Sequence, residues 1–185
     1  MEQMNEYKKS YYDNNKKNVF FKKSQKMDCA QHITNQLDLP TLLSKTFYII
    51  PNTTNVYFDY PLFKMYANDQ IYDIVVVHIY NTIMECIQKN NVYTSHANIK
   101  GLTVTAVERY KILVEKFNQY CIMKNEYENM NHFLKNCYIY NSPSCINMVL
   151  PILKSLIEPS TFLKISLVDN KKSDEYLQQL LSTSV

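Results

Sequence analysis

The chain of 185 residues contains a single glycine, Gly101. Glycine adopts positive φ and allows close backbone approach more readily than any other residue, so this position predicts a turn that the fold requires. Dinucleotide-binding fingerprints, phosphate-binding loops and nucleophile elbows each need several glycines at fixed spacing. The sequence contains none of these motifs, which argues against the enzyme classes that depend on them.

The length and hydrophobic content predict one domain with a substantial core, since 46% of the residues are hydrophobic. The sequence has neither a long apolar run nor an N-terminal apolar signal segment, so we expect a cytoplasmic protein that is not secreted and does not span a membrane. Its five cysteines are scattered and form no C-x-x-C pair. This pattern is typical of free thiols in a reducing compartment, and we expect no metal and no other cofactor.

Asparagine, lysine, tyrosine and isoleucine are abundant in the chain, while tryptophan is absent. Such a bias is typical of AT-rich coding DNA. We interpret it as an indication of a large DNA virus or a protist as the source.

Positive charge is concentrated in the first 26 residues. This segment carries seven lysines and three acidic residues, a net charge of +4, whereas the whole chain carries +3. Aromatic residues lie between the lysines, a pattern that suits contact with anionic lipid headgroups or, less favoured here, with single-stranded nucleic acid. The simplest interpretation is a solvated, flexible tail over residues 1–26. The candidate membrane contacts within it are Lys16, Lys17, Lys22 and Lys23.

Hydrophobic periodicity predicts alternating helices and strands after this segment. The run from Asp28 to Leu43 indicates a short helix broken at Pro40. The run from Ile71 to Ile87 has strand propensity but is too long for a strand, so we predict a helix. The predicted strands are Lys45–Ile50, Asn55–Tyr60, Thr94–Ile99, Asn136–Ser142 and Lys164–Val168, and the other predicted helices are Val104–Met123, Cys145–Ile157 and Ser173–Leu181.

Strands that alternate with helices imply an α/β fold with crossover connections. We therefore predict an α/β/α sandwich around a mixed, mainly parallel sheet of about five strands. A single domain with a short N-terminal helix is expected over residues 27–185.

Three short segments resemble the motifs of one known family. The segment NIKGLTVT, Asn98–Thr105, resembles a D-x-K-G-[hydrophobic]-[ST]-x-[ST] strand and turn. The segment CYIYNSP, Cys137–Pro143, resembles a Y-I-I-N-[AS]-P strand, and Leu153–Ile165 resembles a K-P-F-L-[DE]-x-x-T-x-x-K-I segment. In this order the motifs are those of the CRAL-TRIO lipid-binding family, and the resemblance covers roughly Lys45 to Leu181.

The resemblance implies a cytosolic domain that takes one lipid or other hydrophobic molecule from a membrane into an enclosed apolar pocket. A mobile helix from Ser144 to Leu156 would be the gate, and Pro151 within it favours a kink or hinge. The residue pattern alone indicates a core helix, whereas the resemblance favours a gate. The candidate gate and pocket-lining residues are Ile146, Met148, Val149, Leu150, Ile152 and Leu153.

The resemblance to the phosphatidylinositol/phosphatidylcholine transfer branch also implies headgroup contacts. Thr103 and Thr105 match residues that contact the phosphate region of the choline lipid. Thr161 and Lys164 match residues that contact the phosphate of the inositol lipid, and hydroxyl and lysine donors suit phosphate. The alternatives remain that the first pair caps the following helix and that the lysine lies on the surface.

The sequence departs from the family pattern in its acidic positions. Asn98 replaces the aspartate before the K-G pair, and no Pro-Glu pair is recognisable near Asn131 and His132. The missing carboxylate weakens the case for an inositol lipid unless Glu128 replaces it. The usual helical N-terminal lobe is also largely missing from the predicted elements.

The four histidines show no spacing typical of a metal site or a catalytic set, so we expect no enzyme. The expected function is binding, and transfer between membranes, of a phospholipid or another hydrophobic molecule by a cytoplasmic protein that contacts membranes transiently. The alternative is a protein-interaction module on the same fold that has lost its lipid ligand and binds a protein partner.

Overall fold

A computed structural model describes residues 1–15 and 22–182 of the chain. The helices in these ranges are α1 (Glu2–Asn14), α2 (Lys22–Gln36), α3 (Leu39–Thr46), α4 (Tyr60–Tyr66), α5 (Tyr72–Asn90), α6 (Val104–Met123), α7 (Tyr127–Phe133), α8 (Ile146–Lys154), α9 (Pro159–Phe162) and α10 (Asn170–Ser182). The strands are β1 (Phe47–Ile49), β2 (Asn55–Asp59), β3 (Tyr93–Asn98), β4 (Leu134–Tyr140) and β5 (Ile165–Leu167).

The five strands form one sheet in the order β1-β2-β3-β4-β5. β1 and β2 are antiparallel, and the other neighbouring strands are parallel. Each parallel connection contains at least one helix, as a crossover between parallel strands requires. The predicted α/β class and the mixed, mainly parallel sheet are therefore confirmed.

Several predicted elements match the structure closely. Helix α6 has the predicted bounds, Val104 to Met123, and α5 confirms that the long apolar run beginning at Ile71 is helical. None of the helices in the described residues has an apolar stretch of the length that crossing a bilayer requires.

Helices α3 and α4 share a start signal that the sequence analysis did not use. The Asp38 carboxylate accepts a hydrogen bond from the backbone N–H of Thr41, and Asp59 does the same for Leu62. Each aspartate is followed two residues later by a proline, which is well tolerated in the first turn because its missing N–H would have no helical partner. Helix α4 was not predicted, nor was α7 in the linker after α6.

The N-terminal segment differs from the flexible tail that the sequence predicted. Residues 2–14 form α1, in which Met4 is buried and Tyr7 and Tyr11 pack against a core cluster that includes Ile33. The spacing of these three α1 residues, three and four apart, places them on one helical face. Lys16 and Lys17 lie outside the described residues, and Lys22 and Lys23 begin α2.

Asparagine takes the place of glycine in the turns of this chain. Gly101 has φ +75°, as its isolated occurrence predicted, and the other positive-φ residues in the described ranges are all asparagines. Asparagine tolerates the left-handed region better than other residues with a side chain, because its short polar group hydrogen-bonds locally. These asparagines are Asn52, Asn91, Asn125 and Asn141.

The face of the sheet that packs on α10 carries a row of rings. Tyr57 of β2, His96 of β3 and Tyr138 of β4 are aligned by the strand register, and Leu177 of α10 packs on this side with Tyr57. His96 is 6% exposed, and its Nδ1 lies 2.9 Å from the hydroxyl oxygen of Tyr140. Burial lowers the pKa of His96 to about 4.

We expect that Asn91→Ala destabilises the protein by about 1 kcal/mol and that Asn91→Gly does not, because residue 91 ends α5 at φ 53°. Urea unfolding of both variants measures the difference. Equal stability of the alanine and glycine variants would contradict this account.

We also expect acidification to destabilise the protein between pH 6.5 and pH 4. In this window the unfolded chain protonates His96 while the folded chain does not, so up to about 3 kcal/mol of stability is lost as the pH falls. Unfolding curves across this range, compared with those of His96→Gln, isolate the contribution. The same slope in both proteins would show that another group causes the loss.

Candidate functional site

A cavity of about 370 Å³ lies between the other face of the sheet and the helices packed on it. We call this space the apolar cavity. Carbon atoms make up nearly all of its accessible wall. The volume falls within the range of roughly 300–1,000 Å³ that holds small organic molecules.

Small side chains in the centre of the sheet create the floor of this cavity. Ser95 and Ala97 of β3 point to the same face because strand side chains alternate, and both line the cavity. Neighbouring strands contribute larger side chains to the same floor, so the depression lies over β3. These larger residues are Phe47, Phe58, Cys137, Ile139 and Ile165.

Helices α5 and α6 form most of the roof, with contributions from α3 and α4. The roof residues of α5 and α6 include Val75, Ile79, Val107, Leu113, Val114 and Phe117.

Several polar groups that line the cavity bond within the protein, whereas the buried hydroxyl of Tyr110 has no hydrogen-bond partner among the described residues. Nε2 of His78 lies 2.7 Å from the carbonyl oxygen of Phe47. The Tyr66 hydroxyl donates to Thr46 Oγ1, and Thr46 in turn donates to the Leu42 carbonyl. The wall is therefore mostly apolar and has few polar groups that could hydrogen-bond to water.

Only Leu153 among the predicted gate and pocket residues lines the apolar cavity, together with Leu156 just after the end of α8. Val149 is fully buried but does not line the cavity, and Met148 is 61% exposed. The remaining predicted residues, Ile146, Leu150 and Ile152, are half-buried and lie outside the lining. Pro151 lies within α8, as predicted.

The predicted choline-lipid contacts fall at the start of α6. Thr103 Oγ1 accepts a hydrogen bond from the backbone N–H of Ala106, which makes Thr103 the N-cap and confirms the capping alternative for this residue. Thr105 is exposed, and neither threonine lines the apolar cavity.

The predicted inositol-lipid contacts meet at Asn131. The Thr161 hydroxyl donates to Asn131 Oδ1 at 2.8 Å, and Lys164 Nζ donates to the Asn131 backbone carbonyl at 2.6 Å. Asn131 Nδ2 donates to a carboxylate oxygen of Glu158 at 2.6 Å. The carboxylate in this network is that of Glu158, whereas Glu128 is exposed, so its replacement of the missing carboxylate stays a prediction.

The sequence analysis named none of the residues that form the floor and the roof of the cavity as pocket-lining residues. Ser95 and Ala97 gave a usable signal, since two small residues at alternate positions of a central strand leave space on one face. The roof residues gave no such signal in the sequence, because they come from helices whose packing is set only in three dimensions.

Residues 10–184 match the model of the CRAL/TRIO domain. The chain belongs to this family. Membership supports binding of a lipid or another hydrophobic molecule in general. The CRAL/TRIO match also takes in part of α1, which the sequence analysis had placed in a tail.

No curated protein matches the chain. The solved crystal structure of Sfh5 is similar to it at 16% identity, over 95% of this chain and 68% of that one, with a TM-score of 0.47. The family assignment rests on the CRAL/TRIO match and not on this likeness.

We expect Asn131→Ala to destabilise the protein by about 1–3 kcal/mol, because it removes the partner of both Thr161 and Glu158. Glu128→Ala, a nearby exposed change, is expected to alter stability by less than about 0.5 kcal/mol. Chemical unfolding compares the two. A larger effect at residue 128 would place the stabilising carboxylate there after all.

Proposed function

We propose that this protein binds one hydrophobic molecule in the apolar cavity and carries it between membranes. The observation that carries the proposal is the apolar wall of a 370 Å³ space inside a CRAL/TRIO domain. We propose a binding protein rather than an enzyme, since the lining supplies shape and an almost entirely apolar surface.

The apolar wall of the cavity supports an occupant. The space is partly open, so without a ligand this wall faces water, which is unfavourable by roughly 25 cal/mol per Å² of apolar surface. A ligand that fills the cavity removes this surface from water, so binding and folding stability are expected to be linked.

The volume favours a ligand with the bulk of one acyl chain. A methylene group occupies about as much space as a water molecule in the liquid, roughly 30 Å³, so the cavity holds on the order of a dozen such groups. A phospholipid with two long chains would therefore require α8 or the roof to move. Pro151 within α8 provides a position at which such a movement can begin.

Membrane contact is part of the same proposal. Met148 of α8 is 61% exposed, Leu163 is 85% exposed and Leu167 of β5 is 45% exposed. Exposed apolar side chains of this kind can enter the interface of a bilayer, and the lysines at residues 16, 17, 22 and 23 would add attraction to anionic lipids. We propose a cytoplasmic protein that docks on membranes transiently. The same exposed residues would serve the alternative, an interaction module that binds a protein.

A cavity-filling substitution tests the proposal. We expect Ala97→Leu to weaken ligand binding by at least about tenfold and to raise the stability of the ligand-free protein by about 2 kcal/mol, because the added carbons occupy the cavity. The matched control is Ser166→Leu, which places the same side chain on the opposite, exposed face of the sheet. The probes are lysophosphatidylcholines of increasing chain length, each used below its micelle concentration.

The dependence of affinity on the chain length of the lysophosphatidylcholine tests the size of the cavity more sharply. Each methylene group should improve the affinity about fourfold until the chain fills the cavity at about twelve carbons, after which the gain should stop. A vesicle-to-vesicle assay of a labelled lipid with the same variants tests transfer. Equal binding by Ala97→Leu and Ser166→Leu would overturn the cavity proposal and favour the interaction module.

A further inference from the structure

A second pocket, of about 270 Å³, lies between the N-terminal helices, α4 and the start of α6. We call it the cationic pocket. Tyr60, the first residue of α4, lines both this pocket and the apolar cavity, so the two spaces are neighbours.

Four cations from four helices line the cationic pocket. They are Lys8 of α1, Lys26 of α2, Lys64 of α4 and Arg109 of α6. No carboxylate is among the lining residues, and within the described ranges none of the four cations forms an ion pair. By contrast, Lys89, Lys100, Lys111 and Lys116 elsewhere on the surface each pair with an acidic residue.

Like charges in this pocket act on one another. Burial lowers the pKa of Lys64, the charge of Lys8 lowers it further, and Asp59 opposes both effects. The ring of Tyr60 lies 5.5 Å from the Lys64 ammonium. An ammonium group held near other cations, and compensated only by an aromatic face and by a carboxylate with which it forms no ion pair, gains from a bound anion.

Arg109 presents a buried donor at this position. The Nε of Arg109 is inaccessible to solvent and has no hydrogen-bond partner in the described part of the chain. Its guanidinium lies 5.6 Å from the centre of the Tyr110 ring. Burial raises the pKa of the neighbouring Tyr110, and the Arg109 side chain opposes this rise through its charge and a polar contact with the hydroxyl group. Nε itself has no partner, and because buried donors are normally satisfied, this N–H indicates a missing acceptor.

The sole glycine keeps space open beside Lys64. A Cβ atom at Gly101 would lie 3.0 Å from Lys64 Nζ, so a side chain there would displace the ammonium. Gly101 lines the cationic pocket together with Thr103, the N-cap of α6. The start of this 20-residue helix adds the positive end of its dipole to the four side-chain charges.

We propose that the cationic pocket binds a phosphate-bearing anion. Arginine and lysine together form the usual protein partners of phosphate, arginine through paired N–H groups and lysine as a point charge. Two sources offer this chemistry: a soluble phosphate ester, or the headgroup of a phosphomonoester lipid at a membrane surface. The site is separate from the apolar cavity, so it stands or falls independently of the proposed carrier function.

Two probes distinguish the sources. The first is inorganic pyrophosphate, titrated by calorimetry into the full chain. The second is a vesicle of dioleoylphosphatidylcholine with a minor fraction of dioleoylphosphatidic acid, compared with a vesicle of the neutral lipid alone in a sedimentation assay. The test variant is Lys64→Gln with Arg109→Gln. The matched control is Lys45→Gln with Lys135→Gln, which removes the same charge from exposed positions outside the pocket.

The pocket variant should bind pyrophosphate or the phosphatidic acid vesicle at least about tenfold more weakly, and the control variant should bind like the native chain. A response to pyrophosphate indicates a soluble ester, and a response confined to the acidic vesicle indicates a headgroup. A cooperative urea unfolding transition like that of the native chain shows that the pocket variant is folded. If the variant is not folded, Lys8→Gln with Lys26→Gln, at two exposed positions on α1 and α2, replaces it.

Native protein that binds neither probe overturns the proposal. Equal loss of binding in the pocket and control variants would also overturn it, because general surface charge would then account for the binding.

Discussion

Ser95 and Ala97 place only a hydroxymethyl and a methyl group on the face of the sheet where α5 and α6 pack. Their strand, β3, pairs with β2 on one side and β4 on the other, so it cannot move toward the helices to close the gap. The larger side chains of the flanking strands and of the roof hold the helices away from the floor. The cavity therefore follows from residue size at two positions of a central strand, and the function proposed for the chain depends on it.

Elements with strong periodicity could be predicted from the sequence, and elements defined by short-range chemistry were missed. Helix α6 is long, capped by Thr103 and apolar on one face, so its pattern determines both of its ends. Helix α4 is only seven residues long and is specified by the Asp59 cap and the proline that follows. Helix α1 was not predicted because its many charged and polar residues indicate a solvated segment. The spacing of Met4, Tyr7 and Tyr11, which does indicate a helical face, is a weaker signal. The mixed, mainly parallel class of the sheet could be predicted because it depends only on the order of strands and helices along the chain.

The candidate sites were harder to predict from the sequence than the fold. Sequence motifs placed headgroup contacts at Thr103 and Thr161, and these contacts stay predictions; the structure adds that Thr103 is the N-cap of α6 and that Thr161 bonds to Asn131. The cationic pocket joins residues that lie as far apart as Lys8 and Arg109, and no local pattern relates them. The two pockets share Tyr60 as a lining residue, which gives one small domain an apolar space and a positively charged space side by side.

Native mass spectrometry of the purified chain, before and after incubation with mixed phospholipid vesicles, tests the central claim most directly. The account predicts one bound molecule per chain, released on unfolding and identified by solvent extraction, with a single acyl chain or similar bulk. A chain that remains at its unliganded mass after incubation, while still folded, would contradict it.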